Sequence, residues 1–274
     1  MGNIRLVAMD LDNTLLDRNK QISEHTKEVL QAAADQGVEI VPATGRIFKA
    51  IPDFLREMEG VHYALCCNGA TVYDRIRDEI IYTNHLEAET VFRLLDVLEK
   101  YHCTQDIYRN GQGYMEPRFL RHLDEYKIEG PIFDLILRTR KEVADLRNYI
   151  QENPQGIEKV CSFFDDMEVR ETVKEELRAL EIANVASSLP NYIEINQFGC
   201  DKGDGLTHLA EYLGLTMDQV MACGDAENDT KMIEAAGLGV VMENGTRELK
   251  EIADFITKTN NEDGVAYAIE KYVL

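Results

Sequence analysis

Arg5-Leu6-Val7-Ala8-Met9-Asp10-Leu11-Asp12-Asn13-Thr14, residues 5–14, is a short apolar run that breaks into two carboxylates two residues apart and then a threonine. Apolar residues without alternation, bounded abruptly by polar ones, predict a strand buried on both faces that opens into a polar loop. The carboxylates resist the burial that the strand requires. An ionised carboxylate in an apolar setting must be paired, hold a metal or take up a proton, so Asp10 and Asp12 call for a cation or for shifted pKa values.

Outward from this stretch, Ser23 is placed to cap a helix with Val29, Leu30 and Ala33 on one face and Gly37 at its end. A second apolar run over 38–41 follows and ends in Pro42-Ala43-Thr44-Gly45-Arg46; a further helix carries Pro52 in its first turn, and a third run over 62–67 ends in Asn68-Gly69-Ala70. Strand, helix and strand in close succession predict right-handed crossovers and a parallel sheet. The strands end in small or polar residues, on the edge where open parallel sheets bind ligands.

The pattern then changes. Residues 71–73 and 79–83 read as a hairpin, and 86–101 as a strongly amphipathic helix. From there to about residue 196, strand-like runs (105–108, 133–137, 159–164, 192–195) alternate with helical ones (141–151, 169–180), separated by Asn110-Gly111, Gly130-Pro131 and Asn153-Pro154-Gln155-Gly156. The tail from Gly199 resumes the first pattern: a helix over 206–213, a strand over 219–223 ending in Gly224-Asp225-Ala226-Glu227-Asn228-Asp229, then helix, strand, helix, a short strand and a closing helix from about 263. The expected architecture is α/β: a doubly wound, Rossmann-like parallel sheet built from 1–83 and 197–274, with 84–196 inserted as a smaller α/β cap domain.

Composition bounds the partners. With 274 residues and 45% apolar content the chain can bury a large core, while 29 basic against 50 acidic residues give a net charge of −21. That balance argues against nucleic acid and anionic membranes. An anionic substrate would depend on a few local cations, since screening confines charge effects to about 8 Å at physiological salt. No basic segment followed by an apolar run and a small-residue cleavage site opens the sequence, and no run nears the roughly 18 residues of a membrane span, so a cytoplasmic location is expected. The six cysteines (Cys66, Cys67, Cys103, Cys161, Cys200, Cys223) lack paired metal spacing and read as reduced core residues.

Four groups fall on the one sheet edge: Asp10 with Asp12; Thr44-Gly45-Arg46; Lys202; and Asp225 with Asn228 and Asp229. Carboxylates from two strands suit Mg2+, a hard cation that takes oxygen ligands. Thr44, the Gly45 amide at a helix start and Lys202 supply donors and positive charge for a phosphate. Carboxylate nucleophile, metal and fixed donors together describe phosphoryl transfer through an aspartyl phosphate. Other readings stay open. Asp10 and Asp12 could form a strand-end turn, Asp229 could serve as a helix N-cap, Lys202 could be a solvated lysine, and Arg46 could pair with an acidic neighbour instead of substrate.

Asp10-Leu11-Asp12-Asn13-Thr14, Thr44-Gly45-Arg46, Lys202-Gly203 and Gly224-Asp225-Ala226-Glu227-Asn228-Asp229 resemble the four motifs of the haloacid dehalogenase-like phosphatases. The position of the insert, together with Asn68-Gly69-Ala70 and the closing run 260–266, resembles the Cof-type sugar-phosphate phosphatase branch. The resemblance implies Asp10 as nucleophile and Asp12 as general acid, then base. It implies magnesium on the Asp10 carboxylate, the Asp12 carbonyl and Asp225, with Asp229 as a direct or supporting partner. Phosphoryl contacts would come from Thr44, Gly45, Lys202 and Asn228, with Arg46 a further candidate. The expected function is hydrolysis of small phosphorylated metabolites; a phosphomutase of the same fold and a non-catalytic phospho-receiver are the alternatives. The sequence carries no reading of oligomeric state.

Overall fold

The computed structural model describes residues 4–274; the first three residues of the expected core segment 1–83 lie outside them. The described chain divides into two compact units, Met1–Thr83 with Asp201–Leu274, and Asn84–Cys200.

The first unit is built on β1 (Leu6–Met9), whose four residues are all buried. β2 (Glu39–Pro42) lies beside it, followed by β3 (Tyr63–Cys66), β4 (Thr71–Asp74) and β5 (Glu79–Thr83). The inserted unit contributes β6 (Asp106–Arg109), β7 (Gln112–Met115), β8 (Arg140–Glu142), β9 (Ile157–Phe163), β10 (Ala183–Ala186) and β11 (Tyr192–Gln197). The tail supplies β12 (Val220–Gly224), β13 (Leu238–Val241) and β14 (Phe255–Ile256).

The core sheet has the order β14-β13-β12-β1-β2 and is parallel throughout. β1 therefore has a neighbour on each side and layers on both faces, which is why it reads as an unbroken apolar run. Register fixes what emerges together. Met9 is opposite Cys223 on one side and Pro42 on the other, so Asp10, Asp225 and Thr44 leave the sheet on one edge. β3 continues the parallel arrangement only through the Ala43–Leu65 bridge, and its ladder partner is β4, antiparallel, with β5 beyond. The helix Glu24–Asp35 starts as expected at Ser23, whose hydroxyl accepts from the Thr26 amide. Pro52 is the N-cap of a four-residue helix, Asp53–Arg56, rather than a residue of a longer helix's first turn.

In the inserted unit the sheet order is β10-β11-β9-β6-β7-β8. One face carries Ile107, Val160, Ile193 and Ile195 into a core with Val91, Leu94 and Leu98 of the helix Ala88–Leu98. By strand alternation the other face carries Asp106, Tyr108, Lys159, Cys161, Tyr192 and Glu194, with two buried ion pairs, Arg140–Asp106 at 2.9 Å and Lys159–Glu194 at 2.5 Å.

Two expectations here are corrected. Residues 133–137 are helical, within Pro131–Thr139, because Pro131 occupies the first turn and only Ile136 and Thr139 are buried, a one-sided pattern. Residues 141–142, the start of the helix expected over 141–151, belong to β8; the helix begins later, at Leu146, where Asp145 accepts from the Asn148 amide. The short strands β7 and β10 were not anticipated at all.

Candidate active site

Asp10 is the first residue beyond β1, and its amide still donates to the Cys223 carbonyl at 3.0 Å, so the sheet register itself fixes the carboxylate. Asp225 stands one residue beyond β12 and accepts from the Thr14 hydroxyl at 2.6 Å. Oxygens of Asp10, Asp225 and Asp229 lie within 4.8 Å of one another, all buried.

Lys202 is the first residue of the helix Lys202–Tyr212, which Asp201 caps by accepting from the Asp204 amide. The lysine has no solvent exposure; its ammonium donates to Asp10 at 2.5 Å and to Asp229 at 2.6 Å. The solvated-lysine reading therefore fails. Asp229 is not a side-chain N-cap either. Its second oxygen accepts from the Asp225 and Ala226 amides at 2.9 and 3.0 Å, so it braces the loop bearing Asp225 while its first oxygen meets Lys202.

The electrostatics follow from this crowding. Burial pushes the Asp10 carboxyl well above its ordinary range, Lys202 opposes the shift, and Asp229 and Asp225 add to it. Burial and the neighbouring Asp229 raise Asp225 to about 7. Burial works against the Lys202 ammonium, yet Asp10 and Asp229 more than reverse it and raise its pKa. Three buried carboxylates facing one ammonium leave an excess of negative charge, and the donor set is entirely oxygen, so the residues present fit a magnesium ion.

Asp12 has a different environment. Burial would raise its pKa, but Arg46 and then Lys20 pull it down to about 2. Arg46 Nε and Nη2 donate to the two Asp12 oxygens at 2.8 and 2.7 Å, and Lys20 Nζ lies 2.8 Å from Oδ1. Of the two readings of Arg46, the structure has the acidic neighbour.

Thr44 is buried, its hydroxyl accepting from the Arg46 amide at 3.2 Å and its carbonyl from the Asn68 amide at 3.0 Å. Gly45 lies between these two residues on the same loop. Asn228 donates to Asn68 Oδ1 at 3.2 Å, and its own Oδ1 is buried without a hydrogen-bond partner. All nine candidate residues thus belong to the first unit, on the loops after β1, β2 and β12 and at the start of one helix.

Sequence reasoning missed Asn68, Lys20 and Thr14 as members of the site. Asn68 had a signal: it opens an Asn-Gly pair at a strand end, and in the structure Cys67, Asn68 and Gly69 all have positive φ (52°, 59° and 90°). Gly69 is required there, since a Cβ would lie 2.1 Å from the Asp201 carbonyl oxygen. Lys20 carried no signal beyond its charge.

A family model described as haloacid dehalogenase-like hydrolase matches residues 7–269. A Bacillus subtilis relative, the 5-amino-6-(5-phospho-D-ribitylamino)uracil phosphatase YcsE, is 30% identical across 99% of this chain and 97% of its own length. The chain belongs to the haloacid dehalogenase-like hydrolases. Among solved structures, a haloacid dehalogenase-like hydrolase from Bacteroides thetaiotaomicron superposes with a TM-score of 0.80 at 30% identity, covering 98% of this chain and 99% of that one. One from B. subtilis gives 0.85 at 25% identity, covering 99% and 100%. With phosphatase relatives matching end to end, this haloacid dehalogenase-like chain is a phosphoric monoester hydrolase. Among the described residues no helix is long and apolar enough to cross a membrane.

Proposed function

We propose that the enzyme is a magnesium-dependent phosphatase of small phosphorylated metabolites, sugar or polyol phosphates, acting through an aspartyl phosphate on Asp10. The observation that carries this is the convergence of Asp10, Asp225 and Asp229 around one buried ammonium, an excess of negative charge that a divalent cation offsets before an anionic phosphoryl group can approach. The Asp10 carboxylate, the Asp12 carbonyl and Asp225 would hold the metal, with Asp229 as a brace because its oxygens already serve Lys202 and two amides. When bound, magnesium supplies Lewis-acid charge that offsets the phosphoryl oxygens and keeps Asp10 ionised.

Asp10 attacks phosphorus; the bond between phosphorus and the ester oxygen breaks, and the departing alkoxide takes a proton from Asp12. Water then attacks the aspartyl phosphate, Asp12 takes the water's proton, and the bond between Asp10 and phosphorus breaks to release inorganic phosphate. Arg46 and Lys20 favour the Asp12 carboxylate, the form the second half-reaction needs. Lys202 fixes Asp10, and Thr44, the Gly45 amide and Asn228 supply phosphoryl contacts. The inserted unit is assigned selection of the rest of the substrate. The ribityl phosphate in the name of the B. subtilis relative supports a small polyol or sugar ester, and its naming as a phosphatase supports water, not a second sugar, as acceptor.

The test is phosphate release from p-nitrophenyl phosphate and a panel of sugar and polyol phosphates with magnesium, beside Asp10→Asn. Release that magnesium chelation and Asp10→Asn both abolish is expected. No release by the native enzyme, with the variant indistinguishable from it, overturns the reading.

A further inference from the structure

Arg46 cannot use its fork on a phosphate while Asp12 holds it. Nε and Nη2 are spent on the two Asp12 oxygens and Nη1 on the Ala50 carbonyl at 3.0 Å, and the Arg46 carbonyl is itself tied by the Cys67 amide at 3.0 Å. The side chain is 12% exposed. A planar guanidinium anchored at three nitrogens is a rigid template for a carboxylate.

Lys20 approaches the same carboxylate from another direction. It sits at φ 60° in a turn organised by Asp17, whose carboxylate accepts from the Asn19 and Gln21 amides at 2.7 and 2.9 Å and whose carbonyl accepts from the Lys20 amide at 3.0 Å. The turn fixes the backbone from which the lysine reaches Asp12, and the Arg18 amide ties it to Asn261 Oδ1 at 3.2 Å. The two cations come from segments that do not adjoin in sequence, and they meet on Asp12 Oδ1.

We infer that Arg46 and Lys20 are positioning residues that form a two-armed clamp on Asp12, with Arg46 the fixed arm and Lys20 the lighter one, so that Arg46 acts on the reaction through Asp12 and not by touching the phosphoryl group. This rests on the phosphatase reading and deepens it. Proton transfer needs heavy atoms within hydrogen-bond reach, and a misplacement of about 1 Å costs on the order of 100-fold. A free Asp12 carboxylate, tethered by rotatable bonds beside solvent, would lose that placement.

The clamp has a kinetic signature. A p-nitrophenolate leaves without a proton, whereas a sugar or glycerol alkoxide needs one. Arg46→Ala should therefore slow phosphoenzyme formation from glycerol phosphate or a hexose phosphate by about 100-fold. With p-nitrophenyl phosphate the first step should be nearly native and hydrolysis slow, giving a burst of nitrophenolate and phosphate trapped on Asp10 in acid-quenched protein. The dissociation constant of p-nitrophenyl phosphate, read from the concentration dependence of the burst rate, and the competitive inhibition constant of inorganic phosphate should stay within about threefold of native, while the steady-state KM falls with kcat. On an Asp12→Asn background, Arg46→Ala should add almost nothing, since the two act as a unit. Lys20→Ala should give the same pattern at about one-tenth the size.

If Arg46→Ala does not fold, Arg46→Lys keeps the charge, loses the fork and should show the same leaving-group dependence. A rise of tenfold or more in the inhibition constant of inorganic phosphate, equal losses in the rate of phosphoenzyme formation with both leaving groups, or full additivity with Asp12→Asn overturns the clamp. A crystal structure of the enzyme with tungstate reads the geometry without turnover: Arg46 still forked onto Asp12 supports the clamp, and Arg46 moved to the tungstate overturns it. That result stands apart from the phosphatase reading, which the absence of phosphate release from the panel would remove.

Discussion

The ammonium of Lys202 lies 2.5 Å from Asp10 Oδ1 on a side chain that no solvent reaches. Removing the cation leaves Asp10 and Asp229 as buried charges with no counter-ion. Lys202→Met should cost about 3–5 kcal/mol of stability in magnesium-free buffer, the usual penalty for breaking one side of a buried pair. It should also lower kcat by on the order of 10²–10³, as loss of a fixed electrostatic donor does. Urea unfolding and p-nitrophenyl phosphate turnover measure the two effects; a variant as stable and as active as native would show that the lysine is not the anchor of Asp10.

Asp225 binds protons until about pH 7 in the folded protein, against an ordinary value of 3.8. A carboxyl whose folded pKa is raised is neutral in both states below the unfolded value, and its charged form penalises the fold above it. Metal-free stability should thus fall as pH rises from about 4 through about 7. Magnesium displaces that proton, so its stabilisation grows with pH. The rise in Tm between chelator and magnesium should be larger at pH 8 than at pH 5.5; equal rises, read by scanning calorimetry, would count against Asp225 as a ligand.

Gly69 has a positive φ of 90° and no room for a methyl group beside Asp201. Gly69→Ala combines left-handed strain of about 1–2 kcal/mol with overpacking of about 1–3 kcal/mol. Because the same turn sets Asn68 against Thr44 and Asn228, activity should fall beyond what unfolding explains. Turnover measured at a temperature where the variant is fully folded separates the two.

In the inserted unit, Lys159 and Glu194 are each 1% exposed as a pair. Lys159→Met alone should destabilise by about 3–5 kcal/mol, whereas Lys159→Met with Glu194→Leu should recover most of the loss, because an apolar pair of similar volume removes both desolvation costs. A double variant no better than the single one, by urea unfolding, would mean that the pair contributes net stability.

The core strands and the loops that carry the candidate residues were legible because their signals are local. β1 and β12 are continuous apolar runs ending in Asp, and the parallel sheet brings such ends to one edge whatever lies between. The insert was harder to read. Residues 132–137 are apolar enough for strand or helix, and Pro131 decides the matter by sitting at the first helical position. β7 holds a glycine and a glutamine among its four residues, so it takes its form from pairing with β6 and β8 and not from propensity. The site's remaining surprises are long-range. Neither the aim of Lys20 at Asp12 nor the reach of Asn68 to Asn228 can be read from spacing: Lys20 is a left-handed residue that is not glycine, and the Asn68-Gly69 pair marks a turn without naming its partner.

The register between β1 and β12 sets a timetable for synthesis. Thr14 meets Asp225 across 211 positions of chain, so the strand that leads into Asp10 leaves the ribosome well before the one that leads into Asp225 and waits for its neighbour. At about 5–20 residues per second that interval is roughly 10–40 seconds, during which the unit Asn84–Cys200 is complete and can fold while β1 still lacks half its sheet. Asp10 and Asp225 stay apart until β12 has been made, so a nascent chain that stops short of β12 lacks the carboxylate cluster.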